Sequence, residues 1–260
     1  MQHWIPMQHW MMKHWMLLGL CLLGVAPAHA TELRIAVAAN FTATLERLTE
    51  AYTAKNGVQF SLSSGSSGKH FAQIRQGAPF DLFFSADDQR TGDLVASGHA
   101  VADSRFMYAQ GMLVLWSPDP ERIPGDGLAL LQAGDFGRLA IANPRVAPYG
   151  TAAEALLQTH GITPGRGRLV TGQSIGQAFN FVATGNADLG FVALSQVIQH
   201  EAQHGAGSRW IPDPDRYPAI VQEAVRLTQA REAEAANSFL EWVRTSERAR
   251  AIIEADGYRL

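Results

Sequence analysis

The 260-residue chain carries 21 Lys and Arg against 24 Asp and Glu, a formal net charge of −3, so it lacks the basic footprint a nucleic-acid binder usually shows. Its single cysteine cannot form an internal disulfide. The length allows one large domain or two small ones.

Lys13 is the only formally charged residue in the first thirty, so the rest of the chain is one unit more negative. An apolar run, Met16 to Val25, leads into the small-x-small triplet Ala28-His29-Ala30. A run this short is well under the roughly 20 residues a membrane span needs. Residues 1–30 therefore read as a signal peptide cleaved after Ala30, which predicts an exported, periplasmic product. Cys21 leaves with the leader, as suits an oxidising compartment. A lipid anchor at Cys21 is the alternative, opposed by Leu20 where such sites want a small residue. Met-Gln-His-Trp occurs twice, so Met7, Met11 and Met12 are alternative starts.

From Thr31 onward, strand-like and helix-like segments alternate, which predicts an α/β protein. Leu33–Ala38 is a short apolar strand, and Asn40 stands where a helix N-cap would stand. Phe41, Leu45, Leu48 and Tyr52 recur at helical spacing, closed by Lys55-Asn56-Gly57. Val58–Leu62 alternates like a strand, runs into Ser63-Ser64-Gly65-Ser66-Ser67-Gly68, and is followed by a helix over Lys69–Gln76. Phe80–Phe84 is a buried strand ending at Ser85-Ala86-Asp87. Met112–Trp116 opens a second block. Pro118–Gly127 is turn-rich, Leu139–Ala142 is a strand, and a helix follows Pro148-Tyr149 to Gly161. Arg168–Val170 is strand-like, and Ile175, Ala178, Phe179 and Val182 mark one face of the next helix. Asp188–Val192 is a strand, and the tail from Phe239 to Ile253 is helical.

Strand ends at 38, 62, 142 and 170 each precede a Ser-, Asn- or Gly-containing turn and then a helix. In open α/β sheets ligands bind beyond the carboxyl ends of the strands. Several helix N-termini would then share one crevice, and their free N–H groups favour anions. The two blocks meet near Phe106–Met112 and again near Ile211–Val221, a double crossing that would permit hinge closure.

Three sequence features compete for chemistry. The Ser63–Gly68 run is either a flexible loop or a donor-rich turn, glycine letting N–H groups face a ligand and serine adding hydroxyls. Asn40 offers an amide and Tyr149 a hydroxyl at equivalent places, although a cap and a core tyrosine are the plain readings. Gly172-Gln173-Ser174-Ile175-Gly176 matches the Gly-x-Ser-x-Gly nucleophile turn. However, the next histidines, His200 and His204, share one helical stretch, and no oxyanion motif lies upstream. His200-Glu201-Ala202-Gln203-His204 matches the zinc-peptidase spacing His-Glu-x-x-His. Gly205-Ala206-Gly207 ends that helix at once, and Trp210 stands where the extended motif wants a third histidine.

Taken in order, Val37-Ala38-Ala39-Asn40-Phe41, Ser63–Gly68, Gly77–Asp81, Phe84–Asp87, Asn143-Pro144, Ala147-Pro148-Tyr149-Gly150 and Gly185–Val192 resemble one family. It is the periplasmic molybdate-binding proteins of bacterial molybdate ABC transporters. The resemblance covers nearly all of residues 31–260. It implies a two-lobed periplasmic-binding-protein fold, each lobe a mostly parallel sheet flanked by helices, joined by a two-stranded hinge. Lobe I would be residues 31–110 plus 218–260 and lobe II residues 111–217. It also implies that no cofactor and no cation is held. Molybdate or tungstate would sit between the lobes on neutral donors: the Ala39 backbone, Asn40, Ser67, Tyr149 and the Ile175 backbone. Many members carry a tyrosine where Ala193 stands here, and the Tyr149 hydroxyl is expected to replace it. The expected partner is an ABC-transporter permease, the expected state a monomer. The rivals are a receptor for another anion, such as sulfate, thiosulfate or a small organic acid, and a zinc peptidase using His200 and His204. An organic carboxylate would typically call for a cleft arginine, and the candidate loops hold only Arg145.

Overall fold

The computed structural model describes residues 1, 2 and 31–260; the leader peptide, its cleavage point and the alternative starts lie outside the described residues. Among the described residues no helix is long and apolar enough to cross a membrane.

The chain from Thr31 builds β1 (Glu32–Ala38), α1 (Thr42–Asn56), β2 (Gln59–Gly65), α2 (Ser67–Arg75), β3 (Leu82–Ser85), α3 (Gln89–Ala96) and β4 (Phe106–Gly111). It continues through β5 (Leu113–Ser117), α4 (Gly127–Ala133), β6 (Leu139–Ala142), α5 (Pro148–Thr159), β7 (Leu169–Gly172) and α6 (Ile175–Ala183). Then follow β8 (Leu189–Ala193), α7 (Leu194–His204), β9 (Ser208–Trp210), β10 (Ile220–Arg226), α8 (Ala233–Thr245) and α9 (Glu247–Ala255). Two five-stranded sheets result, ordered β2-β1-β3-β10-β4 and β7-β6-β8-β5-β9.

Strands β1, β3, β5, β6 and β8 read as near-continuous apolar runs because both faces are covered there. In β1, Leu33, Ile35 and Val37 enter one core layer and Ala36 the other. In β5, Leu113 and Leu115 face one layer while Val114 and Trp116 face the other. Burying side chains of this size is worth about 1.5–3 kcal/mol each, so a one-residue slip in register would be opposed on both faces.

Each sheet is mostly parallel, as expected, with one reversed strand. Strands β2-β1-β3 and β7-β6-β8 pair in parallel, whereas β10 and β5 run against their neighbours. These reversed strands are the first to follow each passage between lobes. They arrive without the helical crossover that a parallel neighbour needs. The passages are themselves paired, with Ile220 opposite Gly111, so the two lobes are joined by a two-stranded connection. Strand β10 has no counterpart among the elements expected from sequence, where only a lobe crossing stands at its start.

The Ser63–Gly68 run is not a loop. Ser63, Ser64 and Gly65 extend β2 opposite Ala36, Val37 and Ala38. Ser66 caps α2 by accepting from the Lys69 N–H at 3.3 Å, and Ser67 is the first helical residue.

Candidate functional site

Four helices begin just beyond the carboxyl ends of β1, β2, β6 and β7, two from each lobe. Between them lies a cavity of about 190 Å³, its mouth included, lined in part by Asn40, Ser67, Ala86, Tyr149 and Ile175. No lysine, arginine or histidine is among its lining residues.

The N–H groups of Asn40, Ser67, Tyr149 and Ile175 have no acceptor among the described residues. Ser67 and Ile175 open α2 and α6, and Tyr149 is second in α5 after Pro148, positions where a helix has no internal acceptor to offer. Asn40 precedes α1 in the turn that Phe41 closes by donating to Ala38 O. Ser67 adds a polarised hydroxyl. Its Oγ accepts from the Ala86 N–H at 2.9 Å, which leaves the hydroxyl hydrogen free to donate. Loose backbone donors and helix dipoles, with no cationic side chain in the lining, make a place for a small anion.

Three expected roles are placed differently. The Ala39 N–H donates to Gly65 O at 2.8 Å, so the free donor of that turn is the neighbouring Asn40 N–H. Asn40 does not cap α1; the capping position is Phe41, with no side-chain cap. Its amide instead donates to Gln222 Oε1 at 2.8 Å and Tyr258 Oη at 3.1 Å. The Tyr149 ring is buried, and its hydroxyl reaches the lobe connection, accepting from Gln222 Nε2 at 3.4 Å. Burial holds that phenol well above its ordinary pKa, so it stays protonated. Gln222, Tyr108, Ser195 and Tyr258 surround these groups without any warning in the sequence. They come from distant segments with no shared motif.

The lobes touch on several sides of the cavity. The Gly68 N–H donates to Val146 O at 2.9 Å and Ser195 Oγ to Asn40 O at 3.1 Å. Gln199 Nε2 donates to Asp256 Oδ2 at 3.2 Å.

Beneath the end of β2, the buried His70 ring holds Gln73 Oε1 at 3.1 Å through Nδ1. Burial lowers its pKa. A depressed histidine contributes stability that is complete above the unfolded value near 6.5 and is lost as pH falls toward the folded value. The urea midpoint is therefore expected to drop between pH 7 and pH 5, and His70→Gln to flatten part of that slope. An unchanged slope in the variant would exclude His70 as its source.

The enzyme motifs lose their geometry. Ser174 Oγ accepts from the Gln177 N–H at 3.2 Å as the cap of α6. His200 and His204 stack with ring centroids 4.3 Å apart and planes 14° from parallel. Their in-plane lone pairs cannot meet on one zinc ion about 2.0–2.1 Å from each nitrogen. Glu201 is paired with Arg209 at 2.9 Å. No cluster of three metal-binding side chains occurs among the described residues.

A family profile described as bacterial extracellular solute-binding protein matches residues 33–259. The molybdate-binding protein ModA of Rhodobacter capsulatus is 45% identical over 239 residues, 91% of this chain and 92% of that protein. That of Azotobacter vinelandii is 44% identical over 234 residues, 90% and 92% of the two chains. The solved Azotobacter vinelandii periplasmic molybdate-binding protein superposes with a TM-score of 0.80 at 40% identity, covering 88% of this chain and 99% of that one.

Proposed function

Because the chain belongs to the bacterial extracellular solute-binding proteins, we propose that it captures molybdate, and tungstate with it, in the periplasm and delivers it to an ABC-transporter permease. It is a receptor and not an enzyme, in keeping with its relatives. The observation that carries the ligand is the cavity between four helix N-termini, with free N–H groups at Asn40, Ser67, Tyr149 and Ile175 and a free hydroxyl hydrogen on Ser67.

A dianion entering this space loses its hydration shell, a cost that only replacement donors offset. Hydrogen bonds to a charged acceptor are roughly twice as strong as neutral ones, so several of them with the helix dipoles hold the ion without arginine or metal. The free N–H groups and the Ser67 hydroxyl hydrogen all donate. A protonated oxyanion such as hydrogen phosphate brings a hydrogen that none of these groups accepts, and sulfate is smaller than molybdate. Molybdate and tungstate are nearly isosteric and are not separated by the cavity. In this reading residues 31–110 with 218–260, and residues 111–217, are the lobes. They close as a monomer about the Gly111–Ile220 connection and present a permease-docking face. Export relies on the leader, residues 1–30.

Thermal unfolding of residues 31–260 with each anion tests the reading. A ligand at about 100 times its Kd adds about 2.7 kcal/mol, which raises Tm by about 5–10 °C in a domain this size. Molybdate and tungstate are expected to do so, sulfate and phosphate to do little. A shift with sulfate alone would transfer the site to another oxyanion, and no shift with any of the four would overturn the anion reading.

A further inference from the structure

The polar cluster at the lobe connection is imperfectly satisfied in its hydrogen bonding. Asn40 is 2% exposed, and both hydrogens of its amide are spent, on Gln222 Oε1 and Tyr258 Oη. Its Oδ1 is buried with no partner, so it has lost its hydration without a hydrogen bond in return. Tyr108 has one hydroxyl hydrogen and two acceptors facing it, Ser85 O at 3.1 Å and Gln222 Oε1 at 3.0 Å. Gln222 Nε2 reaches Tyr149 Oη only at 3.4 Å. A register shift in the β4–β10 pairing falls between Gln222 and Glu223, the kind of irregularity that re-aims a side chain. At Gly111 a Cβ would lie 2.2 Å from Tyr149 Oη and 2.6 Å from Gln222 Nε2, so both groups are packed against the bare backbone of the connection.

One rearrangement relieves all three defects. If the Gln222 amide turns over, Nε2 donates to Asn40 and to Tyr108 Oη, and Tyr108 gives its hydrogen to Ser85 O without competition. Tyr149 then donates to Gln222 Oε1. Asn40 must turn with Gln222, since two N–H groups cannot face each other; its Oδ1 then accepts from Tyr258 Oη, whose hydrogen leaves Asn40 O to the Ser195 hydroxyl. That leaves the Asn40 Nδ2 hydrogens at the place where no protein group offers a partner, on a residue that lines the anion cavity. Only an incoming acceptor satisfies them.

We propose that Gln222 is a positioning residue that turns over together with Asn40 when the anion enters. The paired turn presents Asn40 Nδ2 to the ion and makes the Gln222–Tyr149 contact an interlobe hydrogen bond donated by Tyr149. Occupancy of the cavity and closure at the connection are thereby coupled through one amide. The proposal rests on the anion-binding reading above.

Gln222→Glu separates the two steps. When ionised, the introduced carboxylate accepts from Asn40 and cannot donate to it, so Asn40 stays turned away from the cavity. When protonated, it regains one donor hydrogen. Calorimetric titration with molybdate at pH 8 and pH 5.5 is to be run on the unmodified chain, Gln222→Glu, Asn40→Ala and the double variant. The unmodified chain is expected to bind equally at both pH values. Gln222→Glu is expected to lose about 10–100-fold at pH 8 and to recover at least about five-fold at pH 5.5. In the Asn40→Ala background the same substitution is expected to change affinity less than about three-fold at either pH. A loss of equal size without Asn40, or one that does not recover at pH 5.5, means that the new carboxylate acts by charge or by unfolding and overturns the proposal. Absence of molybdate binding by the unmodified chain overturns the functional reading itself, and this proposal with it.

Discussion

Ser67→Ala is expected to weaken molybdate binding by about 10–100-fold, the equivalent of about 1–3 kcal/mol. The hydroxyl has two duties. Its oxygen accepts the buried Ala86 N–H at 2.9 Å, and that bond turns its hydrogen away from β3 and leaves it for the anion. Alanine removes the donor to the ion and also strands the Ala86 N–H. The unliganded protein should therefore lose stability as well, by about 1–3 kcal/mol. The free Ser67 N–H survives the substitution, which is why some binding remains. Titration together with urea unfolding measures both effects. Unchanged affinity with lowered stability would make Ser67 a structural residue and remove it from the cage.

Gly68→Ala should show the opposite division. Position 68 lies in the first turn of α2, where alanine is a better helix residue than glycine by up to about 1 kcal/mol. A Cβ there would stand 2.9 Å from both Cα and O of Val146, backbone of the other lobe. The same oxygen accepts the Gly68 N–H at 2.9 Å. The added methyl cannot be absorbed by a rotamer change; the lobes must part, and that bond lengthens or breaks. Parting costs little in the empty receptor but opens the cage around a bound ion to water. Thermal stability without ligand is expected to be unchanged or slightly raised, and molybdate affinity to fall at least about ten-fold. Equal affinity would mean that lobe contact at Val146 plays no part in holding the ion.

The two effects together describe a site whose donors are local and whose enclosure is not. That division also marks what is legible in the sequence. Strand–turn–helix order, apolar strand runs and the small polar residues at 40 and 67 are local signals, and they place four helix starts at one crevice. The Ser63–Gly68 run misleads in its first half, because composition does not distinguish a Ser-Gly loop from a strand held by β1. The expectation for the Ala39 N–H fails for a related reason: whether a backbone N–H is free depends on whether β2 continues far enough to take it. Strand β10 alternates in part, yet it begins within the expected second crossing. With it goes Gln222, the residue on which Asn40, Tyr108 and Tyr149 converge. The orientation of the Tyr149 hydroxyl toward the lobe connection depends on Gly111, which is remote in sequence and has no side chain of its own. His200 and His204 satisfy a spacing rule, but spacing does not say that their rings stack face to face.

The central claim is that the oxyanion sits among the free donors of Asn40, Ser67, Tyr149 and Ile175. Anomalous diffraction at the molybdenum edge, from crystals of residues 31–260 grown with molybdate, tests it most directly. The account predicts one strong peak between the lobes, within hydrogen-bonding reach of those four N–H groups and of Ser67 Oγ. A peak instead beside Arg226 and Arg244, in the larger surface cavity near Asp103 and Asn237, or no ordered peak at all, would contradict it.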